Sequence, residues 1–218
     1  MGVWTLWTDG LANALEFMSA HFGLSQAWAI VILTMAARLA IMPVSIGATL
    51  RAARNRDRLE ALQPQLAALR NRLKDDPRAL SEQTMALYRQ NGIRFLDRLT
   101  VANLVGQTAF GLGMFRMLRK IKLAASFLWI SDIAKPDLIL ALVTGTLMLL
   151  VMALAPGSHP QISLVMIMIP VAISVISIIT FPSAIGLYWA SSNLVSLTQT
   201  VVVRHIIARQ RKRAAALS

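Results

Sequence analysis

From residue 161 to residue 203 the chain has no Lys, Arg, Asp or Glu, a charge-free run of 43 residues divided by Phe181-Pro182-Ser183. Crossing a hydrocarbon core of about 30 Å takes roughly 20 apolar residues in helix, so this run is long enough for two crossings with a turn between them. A second run, 17 to 50, contains one charged side chain, Arg38. With 56% apolar residues and a mean hydropathy of +0.59, the chain falls outside the soluble class. Short alternating strands, which a barrel would need, are absent from the pattern.

The expected architecture is an all-α polytopic membrane protein with five transmembrane helices. Residues 1 to 22 predict an interfacial amphipathic helix, with Val3, Trp4, Leu6, Trp7, Leu11, Leu15 and Met18 at helical spacing. A frayed apolar leader is the plainer alternative. The first span covers 23 to 50, its far end depending on whether Pro43 stops the helix. Residues 51 to 98 predict a cytoplasmic coiled-coil hairpin: Leu59, Leu62, Leu66, Leu69 and Leu73 follow heptad spacing. Asp76 is placed to cap its second arm, with Pro77 at the first helical position. The second span is 99 to 115, an interfacial connector is 116 to 137, and the third span is 138 to 155. The fourth is 161 to 180, the fifth 183 to 203, and 204 to 218 form a basic tail. A sharp turn is expected at 156 to 160.

Charge distribution sets the orientation. Residues 51 to 98 hold eleven of the 22 Lys and Arg, the tail holds five, and the first 27 residues hold none. An outside N-terminus and a cytoplasmic C-terminus put 16 of them on the cytoplasmic side against five in the connector, as the positive-inside rule favours. Arg116, Arg119, Lys120 and Lys122 in an outside connector go against that rule. A net charge of +12 suits anionic lipid and polyanions such as ribosomal RNA. No specific DNA binding is expected.

Catalytic chemistry is not apparent. The chain has no cysteine, and His21, His159 and His205 are too scattered for a metal cluster. It lacks a Walker loop, a His-Glu-x-x-His helix and a Gly-x-Ser-x-Gly elbow. No cofactor is expected, and the N-terminus does not have the design of a cleaved signal peptide.

What remains is Arg38. An arginine at the centre of a membrane helix costs about 3 kcal/mol, which makes it a functional candidate by default. Thr34 precedes it by one turn on the same face, and Gln107, Ser191, Ser192 and Asn193 are polar side chains available from other spans. The spans contain no acid, so the guanidinium must reach water, phosphates or carbonyls. A hydrated cavity and a snorkel to cytoplasmic phosphates both satisfy that need. Asn103 and Gln107 share a face, where interhelical hydrogen bonding is the plainer role. Met35, Met42, Met114, Met117, Met148, Met152, Met166 and Met168 suit either adaptable binding or core filling.

Four stretches together resemble the YidC, Oxa and Alb group of membrane protein insertases: 33 to 38 with Pro43; Leu62-Gln-Pro-Gln-Leu66 continuing to Met85-Ala-Leu-Tyr88; Phe127-Leu-Trp-Ile-Ser-Asp132 with Pro136-Asp137; and the run from Phe181 to Leu194. The resemblance implies five helices around a hydrophilic groove that is open to cytoplasm and lipid and closed on the outer side. It implies that Arg38, Thr34, Gln107, Tyr188, Trp189, Ser192 and Asn193 line this substrate groove, and that the hairpin recruits or guides substrate. The implied function is a non-enzymatic insertase and chaperone of the bacterial inner membrane, in minimal form without the large periplasmic domain. Nascent membrane proteins and anionic lipids are the implied partners, with the ribosome and the Sec translocon as further candidates. The chain departs from the family at Ile93-Arg-Phe95 and Gln107-Thr-Ala-Phe110, where Asn-Pro and Gln-x-Pro features are usual. An anion-selective channel or transporter and a membrane assembly scaffold are the alternatives.

Overall fold

A computed structural model describes residues 2–93, 97–156 and 164–216. Most of the expected turn at 156 to 160, and Arg94 and Phe95 of the altered motif, lie outside the described residues. Seven helices are present among the described residues: α1 (Val3–Phe22), α2 (Gln26–Arg72), α3 (Pro77–Gln90), α4 (Arg98–Leu118), α5 (Leu138–Leu154), α6 (Leu164–Thr180) and α7 (Ser183–Ala215). The chain divides into two compact units, Met1–Pro43 with Leu104–Ser218, and Val44–Asn103.

Local chemistry explains several helix ends. Gly23 closes α1 in the left-handed region at φ 62, where a side chain would be strained. The Asp76 carboxylate accepts from Ala79 N at 3.0 Å, and Pro77 opens α3. Asp137 likewise caps α5 by accepting from Leu140 N at 2.6 Å. Pro43 does not end α2, which continues to Arg72 without a break. The expected fifth span and tail are one helix as far as residue 215.

Among the described residues, α2 is the one helix both long and apolar enough to cross a membrane; Leu138–Leu154 and Met168–Thr180 are shorter apolar helices. Helices α5, α6 and α7 carry many large apolar side chains on the surface, including Ile139, Leu142, Ile173, Ile176 and Leu194. In water such patches would mark an association face; in lipid they are the ordinary outer surface.

The larger unit has a continuous core. Leu11 and Leu15 of α1, Ile30 of α2, Phe110, Met114 and Met117 of α4, and Ile185 and Leu187 of α7 belong to one buried cluster. Thus α1 is a complete helix with Leu11 and Leu15 packed against protein, while Val3, Leu6 and Trp7 are exposed. Glycines let the later helices approach closely. A Cβ on Gly145 would stand 2.7 Å from Val175 Cγ2, and one on Gly186 would stand 2.6 Å from Leu140 Cδ2.

The connector between α4 and α5 has little regular structure but is firmly tied. Gln26 bridges it, donating to the Lys122 carbonyl at 3.1 Å and accepting from Ala124 N at 2.9 Å. Ile133 is fully buried, and its carbonyl accepts from Ala184 N at 3.0 Å. The Ser183 hydroxyl donates to the Lys135 carbonyl at 2.5 Å, so the start of α7 is fixed to the connector.

In the smaller unit, Leu62, Leu66 and Ile93 are buried with Leu59, Leu87 and Tyr88 packed against them. The leucine spacing read as a heptad therefore places its middle positions against α3 and the residues after it. Leu69 and Leu73 are half-buried.

Candidate functional site

Arg38 lies within an unbroken stretch of α2, half-buried, one turn beyond Thr34. Thr34 is fully buried and its hydroxyl donates to the Ile30 carbonyl at 2.7 Å, so its polarity is satisfied inside its own helix. Arg38 reaches two other helices instead. Its Nε donates to Ser192 Oγ at 2.5 Å, and its Nη1 donates to Gln107 Oε1 at 2.6 Å. Both acceptors are neutral, so they orient the guanidinium and leave its charge in place.

Among the described residues no carboxylate pairs with Arg38; ion pairs elsewhere include Arg51 with Asp97, Arg78 with Glu82, and Lys135 with Asp132. A guanidinium carries five N–H donors, of which these two bonds engage two. The arrangement can present a fixed positive charge with spare donors to a carboxylate or another acceptor.

The charge opens onto a cavity of about 440 Å³. Its walls are Arg38 from α2, Met148 from α5, Pro170, Ile173 and Ser174 from α6, and Tyr188, Trp189, Ser192 and Asn193 from α7. Helical periodicity puts Tyr188 and Ser192 on one face of α7, and both line this cavity. Ser191 faces away, its hydroxyl donating to the Leu187 carbonyl at 2.7 Å. On α6, Pro170 cannot donate a helical hydrogen bond and Ser174 follows one turn later on the same side. A second cavity of about 420 Å³ lies against the same Tyr188 and Trp189 and is bounded by Thr108, Gly111, Leu112 and Phe115 of α4.

Of the residues expected to share a site, Arg38, Tyr188, Trp189, Ser192 and Asn193 line one cavity, and Gln107 joins it through its bond to Arg38. Thr34 is not among the lining residues. Met148, Pro170, Ile173 and Ser174 were not picked out as site residues. The signal that could have found Ser174 is its i, i+4 relation to a proline in an otherwise apolar helix. Among the described residues no three of His, Cys, Asp and Glu cluster closely enough to hold a metal.

Residues 17–211 match the family model described as 60Kd inner membrane protein. The chain is 28% identical over 216 residues to a membrane protein insertase YidC of Campylobacter jejuni, a match covering 96% of this chain and 39% of the relative. It is 28% identical to membrane protein insertase YidC 1 of Lactiplantibacillus plantarum, covering 92% of this chain and 68% of the relative. With membrane protein insertase YidC 2 of Bacillus anthracis it shares 25% identity, covering 93% and 82%. The chain spans about two fifths of the length of the first curated relatives it matches.

Proposed function

Because the chain belongs to the 60Kd inner membrane protein family, we propose that it inserts helical membrane proteins into the lipid bilayer, with the Arg38 cavity as the receiving site. The observation that carries the reading is a guanidinium held by two neutral side chains at the wall of a cavity, with no carboxylate paired to it among the described residues. A structural arginine in this setting would be neutralised; one kept for a passing substrate would be oriented and left charged.

In this reading α2, α4, α5, α6 and α7 cross the membrane, with the N-terminus outside and the C-terminus in the cytoplasm. The cavity is part of a hydrophilic groove between them, lined by Arg38, Gln107, Tyr188, Trp189, Ser192 and Asn193, with Thr34 buried behind it in α2. The charge lowers the barrier to an acidic residue of a translocated tail or loop. An unpaired acid at the bilayer centre costs about 3 kcal/mol, and a fixed cation beside its path offsets much of that. Partition of the apolar segment into lipid then drives release without nucleotide hydrolysis or covalent chemistry. The hairpin of residues 51 to 98 recruits or guides the incoming chain on the cytoplasmic side. Nascent membrane proteins are the substrates, and the ribosome and the Sec translocon are candidate partners.

Membranes depleted of endogenous insertase and supplied with the Arg38→Ala variant test this. Insertion of substrates with acidic translocated tails should fall at least about tenfold, while Arg38→Lys should retain most of it because the charge persists. Photocrosslinking from positions 107 and 189 to a stalled nascent chain should report the substrate in the groove. Undiminished insertion by Arg38→Ala would sink the mechanism.

A further inference from the structure

Arg116, Arg119 and Lys120 stand at the end of α4, and insertion through the Arg38 cavity makes no use of them. The sequence has no Asp or Glu between residues 98 and 131. Among the described residues no carboxylate lies within ion-pair distance of the three. A helix C-terminus favours a cation in its last turn, and Arg116 fills that role. The dipole does not account for Arg119 and Lys120, which follow the last helical residue, nor for the space the three side chains surround.

That space is a cavity of about 650 Å³ whose other walls are Trp4, Leu112 and Phe115. The Arg119 guanidinium lies over the Phe115 ring, 5.6 Å from its centroid. Helix α1 supplies Trp4, and its position is fixed one turn later, where the Trp7 indole donates to the Ala109 carbonyl at 3.0 Å. Leu112 and Phe115 also bound the second, apolar cavity, which continues to Thr108, Tyr188 and Trp189. A basic chamber and an apolar one therefore lie side by side along α4, with Leu112 and Phe115 lining both. From Leu118 back to Thr108 the helix rises about 15 Å. That is about half of a 30 Å hydrocarbon core, the depth of one leaflet.

We infer that the two cavities together bind one anionic phospholipid, its phosphate between Arg116, Arg119 and Lys120 and one acyl chain running past Leu112 and Phe115 toward Trp189. Charge complementarity selects the headgroup, Trp4 lies at the level that indoles favour, and the apolar chamber accepts hydrocarbon. The same chemistry accounts for a cluster of four basic residues, Lys122 included, in a connector where the positive-inside distribution would have few. The acyl chain ends against the aromatic pair that also forms a wall of the Arg38 cavity. The inference rests on α4 crossing the membrane and is independent of what Arg38 does.

The absence of cysteine allows a single reporter. Val105 is exposed and lies one turn before Thr108, so Val105→Cys carrying a bimane label reports on lipid at the far end of the apolar chamber. The labelled full chain is reconstituted in phosphatidylcholine vesicles containing equal small mole fractions of either doxyl-labelled phosphatidylglycerol or doxyl-labelled phosphatidylcholine. The anionic lipid should quench several-fold more effectively, and each basic side chain removed should weaken that preference. The Arg116→Gln, Arg119→Gln, Lys120→Gln triple variant should lose the preference, whereas Arg116→Lys with Arg119→Lys should keep it. Inorganic phosphate at constant ionic strength should leave the quenching unchanged. Equal quenching by the two lipids, a preference that survives the triple variant, or relief by free phosphate would each overturn the assignment. Insertion assays on the same proteins separate its failure from failure of the insertase reading.

Discussion

The connector of residues 119 to 137 and the helical arms of residues 51 to 93 are opposites in a way their secondary structure conceals. The connector is mostly irregular, yet Gln26 bridges it, Ser183 and Ala184 bond its carbonyls, and Ile130 and Ile133 are buried. The arms are almost entirely helical, yet α3 has no buried residue and the local cluster has only Leu62, Leu66 and Ile93 in its interior. Backbone regularity and anchorage are independent. A helix satisfies its own peptide groups wherever it lies, whereas an irregular segment keeps one conformation only when surrounding groups specify it. The connector is accordingly built to stay fixed, and the arms to open locally at low cost.

The most damaging change to this contrast is Ile133→Ala. Truncating a fully buried isoleucine should cost about 2–5 kcal/mol and lower the thermal unfolding midpoint of the detergent-solubilised protein. A smaller effect is expected from Leu66→Ala, about 2 kcal/mol, because its cluster is small and partly open. Hydrogen exchange should show that loss confined to residues 51 to 93, with connector amides still protected. Equal global shifts for the two variants would erase the distinction. Asp76→Ala removes the cap of α3 and should cost about 1 kcal/mol, seen as faster exchange at Ala79 and Leu80.

The smallest expected effect is one of pH. Asp97 accepts from the Thr100 side chain and backbone and pairs with Arg51, contacts that hold its carboxyl at about 2, below the usual 3.8. A depressed folded value means these contacts help fully above the ordinary carboxylate range. Their contribution declines as pH falls through that range and is gone below about 2. Protection of the Thr100 and Val101 amides, taken relative to their intrinsic exchange rates at each pH, should therefore fall on acidification from pH 5 to pH 2, and Asp97→Asn should flatten the dependence.

Much of the local architecture was legible in the residues. Asp76 and Pro77 announced the start of α3, and the leucine spacing announced which positions would meet a partner, because capping and periodicity act within a few residues. The course of α2 past Pro43 was not legible: a proline removes one hydrogen bond, and whether the helix continues depends on what else supports it. Residue chemistry by itself does not separate Ser192, expected in the groove, from Ser191, which is adjacent and chemically the same. Only the rotation of α7 turns one toward Arg38 and the other back to Leu187. Thr34 illustrates the converse, sharing a face with Arg38 while its hydroxyl is used by its own helix.

Arg38 was marked by the sequence alone, through its isolation in an apolar run and the lack of any acid from residue 17 to 50 and from 138 to 203. The sequence also determined that any partner from those runs must be neutral. Which neutral groups they are, and that the charge opens onto a cavity, was decided by tertiary structure. Periodicity specifies the face a side chain shares, a property of one helix. The approach of α5 to α7 at Gly186 and to α6 at Gly145, and with it the space beside the guanidinium, is a property of packing between helices.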